Sequence, residues 1–250
     1  MNNQHLTYRT SNPALNANTF KNPVKNNSLL IDKTMTIKGT VDKTALSLVL
    51  LIISAYYTFS AGMESLIFIG SIGGLVLALV TIFKKEWSPF TVPLYAILEG
   101  LALGSISYIY NTQYDGIVLQ AISITVLVLF SLLFAYRTKL IKPTENFKLG
   151  LFAATGGIFL LYLISFIMSF FGSGISLLSS NNSSLLSIGL SFGIVIIAAL
   201  NLVIDFDFIE EGSEKGAPKY MEWYGAFGLL VTLIWLYLEL LRLLAKMKNR

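Results

Sequence analysis

Apolar residues in this chain run on for lengths that neither an amphipathic surface helix nor an alternating strand would need. Thr44 to Met63, Ser65 to Phe83 and Gly116 to Tyr136 carry no charge, and neither does the long stretch from Leu149 to Ile204. About 20 apolar residues cross the ~30 Å hydrocarbon core of a bilayer, so the first three runs are one span each and the last is two. The break in that last run is FGSGISLLSSNNSS, whose composition is that of a turn-rich interfacial loop. Two further spans hold charge: TVPLYAILEGLALGSISYIY contains Glu99, and MEWYGAFGLLVTLIWLYLELLRLLA contains Glu239 and Arg242 near its end. The pattern predicts seven transmembrane helices, at 44–62, 65–83, 91–110, 116–136, 149–170, 185–209 and 220–244. Strands of a membrane barrel would be about ten residues long and alternate in polarity, which these runs do not. The expected fold is therefore an all-α polytopic integral membrane protein. A seven-helix domain over 44–246 follows a polar, Asn-rich and largely flexible tail over 1–43.

Composition agrees: 54% of the residues are hydrophobic and 13% charged, about half the charge of an ordinary soluble domain. Cysteine is absent, which excludes disulfides and thiolate chemistry, and the single histidine, His5, lies in the tail. Intramembrane zinc or serine proteolysis would require histidine in the spans, and no cofactor is expected.

The basic residues decide orientation. Six lie in the tail, and the loops after spans two, four and six hold Lys84, Lys85, Arg137, Lys139, Lys142, Lys215 and Lys219. The loops after spans one, three and five hold none, so the amino terminus is expected to be cytoplasmic. Arg242, Lys246, Lys248 and Arg250 resist this scheme, because a full seventh crossing puts them outside. The uncharged run from residue 223 to 238 nevertheless favours crossing over a re-entrant turn. Net charge of +4 reflects these topogenic loops facing anionic lipid and implies no nucleic-acid partner. Trp87, Tyr108, Tyr110, Trp223 and Tyr224 sit at span ends as interfacial aromatics. The glycine pairs Gly73–Gly74 and Gly156–Gly157 are expected to permit close helix packing.

Four acids lie at or near membrane depth: Glu99, Asp205, Asp207 and Glu239. A carboxylate in hydrocarbon must be paired, protonated or wet, so each is a candidate site. Glu239 and Arg242, three apart on one helix, make an ion pair. Asp207 is near the helix end, where solvation suffices. Glu99 and Asp205 are harder to dismiss, since at ~1.5 Å of rise per residue they lie roughly 12 Å and 6 Å from the cytoplasmic end. Two residues on a helix turn through about 200°, so Asp205 and Asp207 face opposite sides, and Asp205, the deeper, is expected to face the interior. That geometry also denies this pair the role of an aspartyl-protease dyad, and no enzymatic activity is expected.

The dipeptide in LEGLALG, the IDFDFIEEG end of span six and the LYLELLRLLA end of span seven resemble the Bax inhibitor family. RTSNPALNANTF followed by MTIKGTVDKT is similar to the amino-terminal signature of its bacterial, YccA-like branch. The resemblance implies a seven-helix fold with a central last helix, a place in the bacterial inner membrane, and a pH-sensitive calcium leak. It also implies a pair of sensor aspartates, one near the inner end of helix six and one on helix seven. Asp205 matches the first. Aligning LYLEL with the family's LYLD would offer Glu239 for the second, but at the wrong depth; aligning on LLRLLA places Thr232 there, so the full dyad is absent. Asp205 alone would then be a weak Ca2+ transit site at most. The leading expectation is a cation leak channel with Asp205 as gate or sensor, Glu99 and Thr232 beside it, and Asp207 and Glu239 ranked lower. The alternative is a non-conducting interaction protein that regulates membrane quality-control machinery, with a membrane protease or another membrane protein as partner.

Overall fold

The computed structural model describes residues 34–250, and seven helices long and apolar enough to cross a membrane follow one another in it. They are α1 (Ile37–Ala61), α2 (Leu66–Phe83), α3 (Ser88–Gln113), α4 (Ile117–Arg137), α5 (Glu145–Ser169), α6 (Leu185–Glu214) and α7 (Met221–Lys248). No strand occurs among the described residues, only a lone bridge between Thr34 and Pro218. Number and order agree with the sequence pattern, and most helices outlast their apolar runs by a turn, because a helix continues into its solvated ends where hydropathy falls away.

The clearest correction is at α1, which starts at Ile37, inside the segment 1–43 assigned to the tail. Thr36 is its N-cap, with extended backbone and a side chain that accepts from the Gly39 amide. The amide and hydroxyl of Thr36 also donate to the Glu222 carboxylate at 3.1 and 2.8 Å, and the Met35 amide donates to the Ala217 carbonyl at 2.7 Å. The polar residues 37–43 are thus two helical turns anchored to α7, which an apolarity scan passes over. Residues 1–33, with RTSNPALNANTF and His5, lie outside the described residues, and so does the expectation of flexibility for them.

Glycines set the closest approaches. Gly100 and Gly104 on α3 lie against the Leu51 and Ala55 carbonyls of α1, where an added Cβ would overlap backbone. The Thr58 hydroxyl donates across the same seam to the Leu101 carbonyl at 3.0 Å. This is the small-xxx-small packing by which spans associate without a hydrophobic drive between them. Gly74 likewise admits an α3 side chain, whereas Gly156 and Gly157 have nothing within reach of an added Cβ. The expectation that this second pair packs helices together within the chain is corrected: α5 turns it toward lipid.

Two ends of the bundle can be told apart by their contacts. At one end Ser88 donates to the Tyr220 carbonyl, Lys43 sits over the Trp223 ring and Lys85 over Tyr224. At the other, Lys248 donates to the Asp115 carbonyl, Tyr114 to Asn249, and Asn249 to the Ser180 carbonyl. Helix α7 runs unbroken from the first end to the second, which leaves no turn for a re-entrant path. It packs against α1, α3, α4 and α6 and occupies the middle of the bundle.

Candidate functional site

Central as it is, α7 is not covered all round. Its incompletely buried positions include Tyr224, Gly228, Val231, Trp235, Leu238 and Arg242, in steps of four and three that make one stripe. Asp205 of α6 borders this stripe. Its Oδ1 lies where a Cβ on Gly228 would meet it at 3.5 Å, and the Thr232 hydroxyl faces it from one turn farther along α7. Its Oδ2 is buried with no hydrogen-bond partner among the described residues. A buried carboxylate oxygen left unpartnered is costly, and such groups call for a functional explanation. Asp205 and Thr232 are therefore brought together, as the register on LLRLLA anticipates.

The other candidates lie elsewhere. Glu99 does not join Asp205: its carboxylate points at Gly74 of α2, where a Cβ would collide with it. Asp207 faces the start of α5 and pairs with Lys148 at 2.7 Å, on the opposite side of α6 from Asp205, as helical geometry requires. Glu239 accepts from Arg242 at 2.8 and 2.9 Å and from the Tyr162 hydroxyl of α5 at 2.6 Å. The ion pair is formed, but Glu239 is buried in the bundle and its oxygens are occupied. Among the described residues no three acids or histidines converge as a metal site would need. Asp205 offers a single-carboxylate contact.

Two charged groups of consequence escape a scan for acids in apolar runs. Glu222 is fully buried at the start of α7, held by Thr36, by Lys219 at 3.0 Å and by Lys43 at 3.5 Å. A Cβ on Gly39 would overlap its carboxylate, so glycine is needed there. Lys246 is also fully buried, donating to the Leu177 carbonyl at 2.7 Å, Ser191 at 2.8 Å and the Ser187 carbonyl at 3.3 Å. The signal for Lys246 was its spacing, since Glu239, Arg242 and Lys246 at i, i+3 and i+7 share a face. These contacts also account for the cations at the end of α7 that resisted the loop-charge scheme. Two of the four are lodged in the protein, Arg242 on Glu239 and Lys246 on carbonyls and a hydroxyl, while the exposed Lys248 donates to the Asp115 carbonyl at the surface.

Comparison with curated proteins and with solved structures gave no match. A family model described as Bax inhibitor 1 like matches residues 9–249, nearly the whole chain, and so this seven-helix membrane protein belongs to the Bax inhibitor family.

Proposed function

We propose that this protein is a pH-responsive cation leak pathway in which Asp205 is the gate or sensor. The observation that carries this reading is the Asp205 carboxylate itself. One oxygen is buried and unpartnered at the α6–α7 seam, beside the uncovered stripe of the central helix. Protonated, the group can rest dry against Gly228 and Thr232. Ionised, it must be hydrated or matched by a cation, and that difference biases the bundle between dry and wetted arrangements. A hard oxygen donor suits Ca2+, and a single carboxylate makes a transit contact and not a storage site. Thr232 supplies a hydroxyl in place of a second acid, so Asp205 responds alone. The loop lysines at the Thr36 and Tyr220 end support a cytoplasmic amino terminus, and the family resemblance supports a bacterial inner membrane.

The test is cation flux through the purified protein in liposomes across pH. Flux should vary with pH in the wild type and lose that dependence in Asp205→Asn. Gly228→Ala sets a methyl in ordinary contact with Oδ1, so it should fold and yet conduct less. No wild-type flux at any pH, or an unaltered pH dependence in Asp205→Asn, defeats the channel reading. The second reading, a non-conducting regulator of membrane quality-control machinery such as a membrane protease, is favoured by one observation: the acid that could have completed a dyad, Glu239, is committed to Arg242 and Tyr162.

A further inference from the structure

A recess in the lipid-facing surface is used by neither reading of the function. It is bounded by α1 and α4, which hardly touch one another, and floored by α3 and α7. Its floor residues Leu233 and Tyr237 lie about 140° round α7 from Gly228 and Thr232, at ~100° per residue. The recess and the Asp205 seam are therefore separate.

Every group in the wall is apolar or already satisfied. Ser107 donates to the Leu103 carbonyl at 2.6 Å and shares a hydrogen bond of 2.6 Å with the Tyr237 hydroxyl, and Thr125 donates to the Ala121 carbonyl at 2.8 Å. No polar atom and no charge is left facing the space. A water molecule there would lack the polar partners it needs, so the recess suits hydrocarbon. Its mouth is formed by Ile52 and Tyr56 of α1 and Ile122 and Val126 of α4, all exposed, whereas Leu103, Leu233 and Tyr237 behind them are buried. The recess is thus continuous with the surface that these spans turn to lipid.

Depth and size select the occupant. From Leu48 to Phe59 along α1, and from Val118 to Leu129 along α4, the wall rises about 16 Å at ~1.5 Å per residue. That is half of the ~30 Å hydrocarbon core, the reach of one leaflet. Phe59 and Val118 lie beside the ends of their helices, where Lys248 meets Asp115, so the recess runs from that end inward to the middle of the bilayer. Its volume of about 440 Å³ is roughly three times the ~150 Å³ apolar cavity that holds one benzene, which gives room for on the order of 18 carbons. Left empty, the wall would forfeit dispersion contacts that a hydrocarbon chain restores.

We propose that this recess binds one acyl chain of a bilayer phospholipid, drawn from the leaflet at the Lys248 and Asp115 end. It does not rest on ion conduction, because a chain can be held there with no flux.

The experiment reconstitutes the full chain in phosphatidylcholine liposomes with a trace of phosphatidylcholine that carries a photoactivated diazirine in one acyl chain. Tandem mass spectrometry then places the adducts. A diazirine near the methyl end of the chain should mark the buried Leu103 and Leu233, and one near the carbonyl should mark Tyr237. Val118→Phe puts a ring into the space and should abolish the label on these floor residues. Leu119→Phe, one residue along and facing lipid, should leave it unchanged. Ile122→Trp enlarges a half-exposed side chain at the mouth and should also abolish the label, so the test survives a Val118→Phe that fails to fold. Label confined to the exposed faces of α1 and α4, floor label that persists in the variants that fold, or the reverse order of the two probes would each overturn the proposal.

Discussion

Helix α5 buries one residue, Leu151, while α7 buries 17 of its residues between Glu222 and Lys246 and touches most of the bundle. Helix α5 holds on through three polar contacts. Lys148 pairs with Asp207, Thr155 accepts from Asn201 at 2.9 Å, and Tyr162 donates to Glu239. The three residues are seven apart, so they form one polar stripe on an otherwise lipid-facing helix. Lipid tails are as apolar as leucine, so a span gains little by burying its hydrophobic face and is held by close packing and hydrogen bonds. Helix α7 uses the first means and α5 the second.

The largest effect should come from the point where the two helices meet. Glu239→Ala leaves the Arg242 guanidinium without its acid and strips Tyr162 of its acceptor, so a loss of about 3–5 kcal/mol is expected. Reversible unfolding in mixed micelles measures it. A loss below about 1 kcal/mol would mean that this buried pair is wet in the membrane, and the contrast between the helices would weaken. Next come two truncations meant to be read together. Leu236→Ala on α7 opens a cavity in a fully buried site and should cost about 2–5 kcal/mol. Phe159→Ala on α5, a lipid-facing site, should stay within about 0.5 kcal/mol. Equal losses would break the comparison. Tyr162→Phe should cost about 0.6 to 1.7 kcal/mol, the range of a single interhelical hydrogen bond in a membrane.

Hydropathy made the number of spans and their order legible, because crossing length is a demand that lipid places on every helix alike. For the same reason it could not rank α5 against α7: both are long and apolar, and lipid does not distinguish a buried face from an exposed one. The polar residues carry that information. Helical rotation separated Asp205 from Asp207 correctly, since it depends only on spacing. Depth arithmetic put Glu99 and Asp205 in the same half of the bilayer but could not give azimuth, and Glu99 turned out to face Gly74 of α2. Glu222 and the polar start of α1 were hidden together. Their partners are 186 residues apart in sequence, and neither looks like a membrane feature on its own.

The smallest effect on stability is expected from Asp207→Asn, and it bears most directly on function. The Asp207–Lys148 pair is partly solvated, with side chains 23% and 29% exposed, so water and salt screen it and its loss should shift the unfolding midpoint least of all these changes. Raising the ionic strength should erase even that difference from wild type. Asp205→Asn removes a charge that has no salt-bridge partner to lose, so it should also fold well. The two substitutions are then alike in chemistry, two residues apart, and mild in stability, which isolates the side of α6 as the variable. If the α7 side is where protons are sensed, liposome flux keeps its pH dependence in Asp207→Asn and loses it in Asp205→Asn. Loss of the dependence in both would mean that the α5 contact belongs to the pathway. The peripheral helix, and not only the central one, would then be part of the gate.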